Sequence, residues 1–120
     1  MLERRKFKRR SISYYLRIID VGANQMIGHL ADISQQGLKM DSQKAIPLSK
    51  EYKLRINTTI DVADKEYIDF TAVTRWCELD PLQTGLFEIG FEIIKLDLRD
   101  AEIVQRIMDK YSSQDNTFPL

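Results

Sequence analysis

The sequence predicts a single mainly-β domain, an antiparallel barrel or sandwich followed by one C-terminal helix. Stretches rich in β-branched and aromatic residues recur along the chain, and turn-forming clusters separate them about every ten residues. Helical spacing of apolar residues is convincing only after residue 97. A chain of 120 residues can bury one hydrophobic core, so no internal domain boundary is expected.

The first half of the chain contains three predicted strands. The first, Ser13–Asp20, ends at a turn cluster of Gly, Ala, Asn and Gln. The second, Met26–Ile33, leads into a polar corner at residues 32–37. Its core candidates are Ile27, Leu30 and Ile33. The third strand leaves that corner, because Leu38 and Met40 alternate with polar neighbours.

Three more strands are predicted in the second half. Apolar and polar residues alternate over Tyr52–Ile56, and Tyr67–Cys77 is long, rich in β-forming residues and without glycine or proline. Leu86–Ile94 follows a loop that contains proline and glycine. Gly90 lies inside this last strand, where a glycine usually marks a bulge, a bend or a close backbone approach.

A helix is predicted after Asp97, which can cap it, and Asp100 adds a favourable charge to its first turn. Apolar residues then recur at helical spacing and should pack on the β-domain. They are Ala101, Val104, Ile107, Met108 and Tyr111. Periodicity is lost afterwards, which predicts a loose tail at 112–120.

The formal net charge of zero conceals a segregation of charge along the chain. Residues 1–10 hold six Lys or Arg and one acid, which leaves 12 of the 18 basic and 17 of the 18 acidic residues for 11–120. The predicted organisation is therefore a basic arm at 1–12, a domain at 13–111 and the tail. A protein that coats nucleic acid would normally carry a basic face across the fold as well, so nucleic acid is an unfavoured partner.

Residue counts exclude several functional classes. Cys77 is the only cysteine, so neither an intrachain disulfide nor a cysteine-based zinc site is expected, and a reducing cytoplasm is the natural location. His29 is the only histidine and is expected to be an ordinary strand residue. The chain shows no apolar signal region and no apolar stretch of about 20 residues. A cytoplasmic protein that is not an enzyme, with no cofactor, no metal and no membrane span, is predicted.

Two short motifs carry the binding prediction. Arg5 and Arg9 are separated by three residues, and Asp32, Ser34 and Gly37 follow about 20 residues later. Guanidinium groups recognise planar, acceptor-rich and anionic partners, such as a guanine edge or a phosphate. The second motif alone also fits a self-bonded corner, since Asp and Ser side chains bond nearby backbone groups and Gly closes turns. The two motifs together favour a ligand site.

These two motifs, with the arm placed ahead of the first strand, resemble those of the PilZ domain family. Similar letters continue at Val73–Trp76 and at Gly90–Glu92, and a helix ends the chain, so the resemblance extends to about residue 111. It implies a mainly-β fold, namely a six-stranded antiparallel PilZ-type β-barrel with a C-terminal α-helix. It also implies that the ligand is the bacterial second messenger cyclic di-GMP.

The resemblance assigns a role to each motif residue. Arg5 and Arg9 would bind guanine O6 and N7, stack on the base or hold a phosphate. Asp32 would accept hydrogen bonds from the guanine N1–H and N2–H₂ groups. Ser34 would donate or accept beside it, and Gly37 would allow either a positive φ or a close approach of backbone to ligand.

Other residues near the motifs have two possible roles each. Arg4 resembles the arginine of family members that take up two intercalated cyclic di-GMP molecules, but it could also be one more solvated charge. Trp76 offers a large aromatic face, although a lone tryptophan in an apolar strand is more often part of the core. Lys39 and Arg75 are candidates only as bystanders.

The leading hypothesis is a cyclic di-GMP receptor that changes the conformation of its N-terminal arm and so signals to an unidentified downstream protein. One alternative is a binder of nucleic acid or another anionic surface through the arm, which should tolerate Asp32→Ala. Another is a PilZ-like adaptor that binds only protein. The intact arginine motif argues against that adaptor, which would be expected to lack one or more of these arginines.

Overall fold

The computed structural model describes residues 16–59 and 62–111. The predicted arm at 1–12, the first residues of the predicted first strand and the tail at 112–120 lie outside the described residues. The site candidates Arg4, Arg5 and Arg9 therefore lie outside them as well.

Within the described residues, six strands form a closed antiparallel barrel in the order β1-β2-β3-β6-β5-β4, and one helix follows. The elements are β1 (Arg17–Asp20), β2 (Gln25–Ile33), β3 (Gly37–Ser42), β4 (Glu51–Asn57), β5 (Tyr67–Leu79), β6 (Phe87–Lys95) and α1 (Leu98–Tyr111). This architecture confirms the predicted mainly-β fold, a six-stranded barrel with a C-terminal helix.

The barrel interior is filled by the apolar side of each strand. On β4, Tyr52, Leu54 and Ile56 are buried, whereas Lys53 between them is exposed. This alternation is the pattern of a sheet with one face packed in the core and the other exposed to solvent. Residues with no accessible surface are contributed by all six strands, and they include Ile18, Leu30, Met40, Leu54, Ile56, Ile68, Ala72 and Ile89.

A bulge in β2 decides which way the polar corner faces. Leu30 and Asp32 pair with consecutive residues of β3, which makes Ala31 an extra residue in the ladder. Because side chains alternate along a strand, the extra residue turns Asp32 to the outer face and returns the buried Ile33 to the interior. Without the bulge, Asp32 would point into the barrel on the same side as Leu30.

Helix α1 packs on the barrel end that carries the corner and the β4–β5 connection. Asp97 caps it as predicted, since its Oδ1 accepts a hydrogen bond from the Arg99 backbone N–H at 2.9 Å. None of the helices among the described residues is both long enough and apolar enough to cross a membrane. The buried apolar side chains of α1 belong to the same cluster as the barrel core, and they are Ile103, Val104 and Ile107.

Two polar contacts attach α1 to the β4–β5 connection. The Lys65 ammonium donates to Asp100 Oδ1 at 2.9 Å, and the Arg106 guanidinium donates to the Val62 carbonyl at 2.9 Å. The hydrogen bond to Asp100 raises the pKa of Lys65 above its ordinary value. Asp100, which the sequence predicted only as a favourable charge, is therefore a buried and paired residue.

Replacing Ile107 by alanine is expected to lower the free energy of unfolding by about 2–5 kcal/mol, because it leaves a cavity where the helix meets the barrel core. Urea denaturation measures the change. Leu98→Ala is the matched control, since Leu98 begins the same helix but is 83% exposed. That variant should stay within about 0.5 kcal/mol of wild type. Equal stabilities for the two variants would mean that α1 does not complete the core.

Candidate functional site

The corner between β2 and β3 is held by the Ser34 hydroxyl. Its Oγ accepts hydrogen bonds from the backbone N–H groups of Gln36 at 3.2 Å and Gly37 at 3.3 Å. The hydroxyl also contacts the Gly37 carbonyl at 3.4 Å, and the Ser34 N–H donates to that carbonyl at 2.8 Å. Ser34 therefore fixes the shape of the corner, as the self-bonded interpretation of this motif expected.

Gly37 is needed for close packing and not for an unusual backbone conformation. It is absent from the residues with positive φ. A Cβ at this position would lie 2.6 Å from the Phe91 carbonyl oxygen of β6, a distance that side-chain carbons do not adopt. The neighbouring Gln36 carbonyl accepts a hydrogen bond from the Ile93 N–H at 2.9 Å. The corner is thus held directly against β6, and the close approach is to the protein's own backbone.

Asp32 begins a row of residues that crosses four strands on the outer face. The register pairs Asp32 with Lys39 of β3, Lys39 with Gly90 of β6, and Gly90 with Trp76 of β5. We call these four residues the outer row. Neighbouring strands are about 4.8 Å apart, so the row extends over about 15 Å. Two of its members, Asp32 and Lys39, are half-buried.

Trp76 and Gly90 form a flat aromatic surface at one end of the outer row. A Cβ on Gly90 would lie 2.2 Å from Cε2 and Nε1 of Trp76, so the indole ring covers the backbone of this glycine. The register shifts between Thr74 and Trp76, which makes Arg75 a bulged residue. Trp76 is 37% exposed, so the sequence-based preference for a core tryptophan was wrong. Of the bulge, bend or close backbone approach expected at Gly90, the structure shows a close approach to the glycine backbone, and the Trp76 side chain makes it.

Acidic residues flank the outer row on the side away from the corner. Asp41 pairs with Glu88, which in turn pairs with Glu78 on β5. The carboxylates of Asp41, Glu88 and Asp80 lie within 4.8 Å of one another, close enough for a shared cation, but exposed acidic groups often approach each other without one. Lys39 Nζ lies 3.8 Å from Glu88 Oε1. The flank of the row is therefore electronegative.

A second ion pair lies on the corner side of the row. Arg75 binds Glu92 through its Nη2 at 2.7 Å and its Nε at 2.8 Å. Both side chains are about half exposed, so the pair is screened by water. Because the Glu92 carboxylate pairs with this guanidinium, Arg75 leaves little net positive charge beside Trp76.

The chain enters the barrel beside the outer row. The Leu30 N–H donates to the Leu16 carbonyl at 2.7 Å, so the first described residue lies beside Leu30 of β2, two positions before Asp32. Arg9 is seven residues before Leu16, and an extended chain of that length reaches about 24 Å. Arg9 can therefore reach any point of the row, and Arg5 is farther back along the same segment.

The structure brings three predicted site residues together, Asp32, Ser34 and Gly37, and leaves the arginines outside the described residues. Sequence reasoning treated Lys39 as a bystander and missed the outward position of Trp76. A groove of about 550 Å³ lies at the opposite barrel end, near Met26 and the β3–β4 connection, and does not include the motif residues. The outer row is thus the better candidate for the site.

The family model for the PilZ domain matches residues 3–110. Among solved structures, the chain is similar to the Bacillus subtilis inhibitor of motility MotI/DgrA, with a TM-score of 0.63 and 15% sequence identity. The match covers 86% of this chain and 50% of that chain, so the protein spans about half the length of this neighbour, and the likeness is one of fold. No curated protein matches the sequence. Since the family match covers both motifs, the barrel and nearly all of the helix, the chain belongs to the PilZ domain family.

Proposed function

We propose that this protein is a cytoplasmic bacterial receptor for cyclic di-GMP that binds the nucleotide between its basic arm and the outer row. PilZ domains are receptor or adaptor domains, and the family match supports that general role. The observation that carries the finer proposal is the outer row, which aligns a carboxylate, a lysine and an exposed tryptophan face near Leu16, the first described residue after the arm.

The chemistry of the row suits a guanine nucleotide. The Asp32 carboxylate is an acceptor, and guanine offers the N1–H and N2–H₂ donors on one edge. The Trp76 indole offers a face on which a base can stack, an interaction worth about 1–3 kcal/mol per base. Asp32 and the ring over Gly90 are separated by two strand spacings, about 10 Å. A ligand with two bases can therefore contact both.

The arm is the second half of the proposed site. Cyclic di-GMP carries two phosphate charges, and the described face offers it Lys39 beside the acidic residues Asp41, Glu78 and Glu88. Such a face repels an anion unless cations are added. The six Lys and Arg of residues 1–10 supply them, and Arg5 and Arg9 also provide the planar donors that bind guanine or phosphate. Nucleotide and arm should therefore bind the barrel together.

Because the nucleotide and the arm bind the barrel together, nucleotide binding can also produce a signal. When the nucleotide binds, the arm closes on the outer row, and a protein partner can distinguish the two arm positions. Ordering the seven residues 4–10 of the arm costs about 1–2 kcal/mol of backbone entropy for each residue. Several charge-assisted contacts must therefore form at once to offset this cost. We therefore expect the change in arm conformation to be cooperative with ligand binding.

Titration calorimetry with cyclic di-GMP tests the proposal. We expect saturable binding with two ligands per protein, because Arg4 precedes the motif and can hold an intercalated second molecule. Arg4→Leu should lower the ratio toward one. A ratio of one in wild type would refute the two-ligand prediction alone, whereas absence of binding would refute the proposed function.

Discrimination between cyclic di-GMP and cyclic di-AMP distinguishes the proposed receptor from a general anion binder. Wild type should bind cyclic di-AMP much more weakly than cyclic di-GMP. Adenine lacks the N1–H and N2–H₂ groups from which the Asp32 carboxylate would accept hydrogen bonds. Asp32→Ala should lower the affinity for cyclic di-GMP by about tenfold or more. If this variant keeps the affinity of wild type, the arm acts as a nonspecific anion binder.

A further inference from the structure

Lys39 is unusual among the lysines on the outer face of the barrel. Its side chain is only 15% exposed, whereas Lys53 on β4 is exposed. Lysine is rarely buried unless it is paired, and it usually keeps its ammonium group in water while its stem covers apolar surface. Lys39 is held instead in the middle of the outer row, with Asp32 on one side and Gly90 on the other.

The observed partner of Lys39 is at a long distance. Its Nζ lies 3.8 Å from Glu88 Oε1, whereas the Lys65–Asp100 pair is at 2.9 Å. A separation of 3.8 Å is a Coulombic contact and not a hydrogen bond. Glu88 also faces two other carboxylates, Asp41 and Glu78, across the ladder. The contact between Lys39 and Glu88 is therefore one that a better acceptor could replace.

We propose that Lys39 is an additional ligand contact, whose ammonium group leaves Glu88 and binds a phosphate oxygen of the nucleotide lying across the outer row. This inference rests on the proposed function. A phosphate oxygen can accept a charge-assisted hydrogen bond at about 2.7–2.9 Å, shorter than the present contact. Glu88 then competes with the phosphate for the same cation, so this carboxylate sets the affinity of the site.

A double-mutant cycle on Lys39→Met and Glu88→Gln tests the exchange. The affinity for cyclic di-GMP is measured by calorimetry and by fluorescence of Trp76, the only tryptophan of the chain. Lys39→Met should weaken binding about tenfold. Glu88→Gln should strengthen it about threefold. In the Lys39→Met background, Glu88→Gln should keep only a small field effect like that of Glu78→Gln, because the competition acts only through the lysine.

Two controls separate this exchange from a general field effect. Glu78→Gln removes the same charge from the neighbouring strand, and its small effect should be equal with and without Lys39. Lys53→Met removes a lysine from β4 and should leave the affinity unchanged. Lys39→Gln repeats the test with a polar side chain, and thermal unfolding checks that each variant is folded.

The outcomes distinguish the inference from the proposed function. If wild type binds cyclic di-GMP and Lys39→Met and Lys39→Gln bind it equally well, the inference is overturned and the function stands. An equal effect of Glu88→Gln in both backgrounds overturns it too, because the carboxylate then acts by its field alone. If wild type does not bind, both are overturned.

Discussion

Arg5→Ala and Arg9→Ala are each expected to weaken cyclic di-GMP binding by about 10- to 100-fold, and the double variant should show no measurable binding. A hydrogen bond to a charged group contributes about 1.5–3 kcal/mol, and each factor of ten in affinity corresponds to about 1.4 kcal/mol. In the proposed complex, each arginine also supplies positive charge beside a barrel face that is rich in carboxylates. Calorimetry on the full chain measures the loss.

The arm itself offers the matched controls. Lys8→Ala removes one positive charge from the same segment but not from the Arg5 and Arg9 motif, so it should weaken binding only a few-fold. Arg5→Lys keeps the charge but loses the planar fork, and it should resemble Arg5→Ala more than wild type. If Lys8→Ala and Arg5→Ala cause equal losses, the arm acts by charge alone.

Arg5→Ala and Arg9→Ala should lower the affinity for the nucleotide without lowering the stability of the fold. Residues 16–111 contain every strand and the helix of the described fold, and Arg5 and Arg9 precede them. Thermal unfolding without nucleotide should therefore be the same for wild type and both alanine variants. Added cyclic di-GMP should raise the unfolding temperature of wild type more than that of either alanine variant, because a ligand that binds only the folded state stabilises it by an amount that grows with its affinity.

Much of the fold could be predicted from local sequence because alternation and turn residues specify each strand separately. The period-two pattern of β4 and the cap at Asp97 required no knowledge of neighbours, and both were confirmed. The extra residue Ala31 could not be predicted, since a bulge depends on how two strands pair. The spacing of three between Leu30 and Ile33 was its only signal, and helical or irregular structure gives the same spacing.

The candidate site was harder to predict than the fold because it depends on register across four strands. Asp32 and Trp76 are 44 residues apart, and only the pairing of β2 with β3, β3 with β6, and β6 with β5 puts them in one row. A core position was favoured for Trp76 because a lone tryptophan in an apolar strand is more often buried. The signal that could have corrected this was Gly90, since a glycine inside a strand often makes room for a large neighbour.

Gly37 connects the stability of the fold to the geometry of the proposed site. Gly37→Ala would place a Cβ 2.6 Å from the Phe91 carbonyl oxygen, and a backbone atom cannot rotate away as a side chain can. The strands β3 and β6 must then separate where Gly37 pairs with Glu92. We expect the free energy of unfolding to fall by about 1–3 kcal/mol, as for other insertions into packed structure, measured by urea denaturation.

The same separation should displace the corner and lower the affinity for cyclic di-GMP. Gly22→Ala is the control, because its Cβ would meet nothing closer than Asp20 Oδ1 at 3.5 Å, an ordinary contact. That variant should match wild type in both measurements. If Gly37→Ala loses stability but keeps full affinity, the corner supports only the barrel, and nucleotide contacts must come from the arm and the rest of the outer row. If it keeps its stability, the β6 backbone yields to the methyl group, and the close approach at Gly37 does not hold the corner in place.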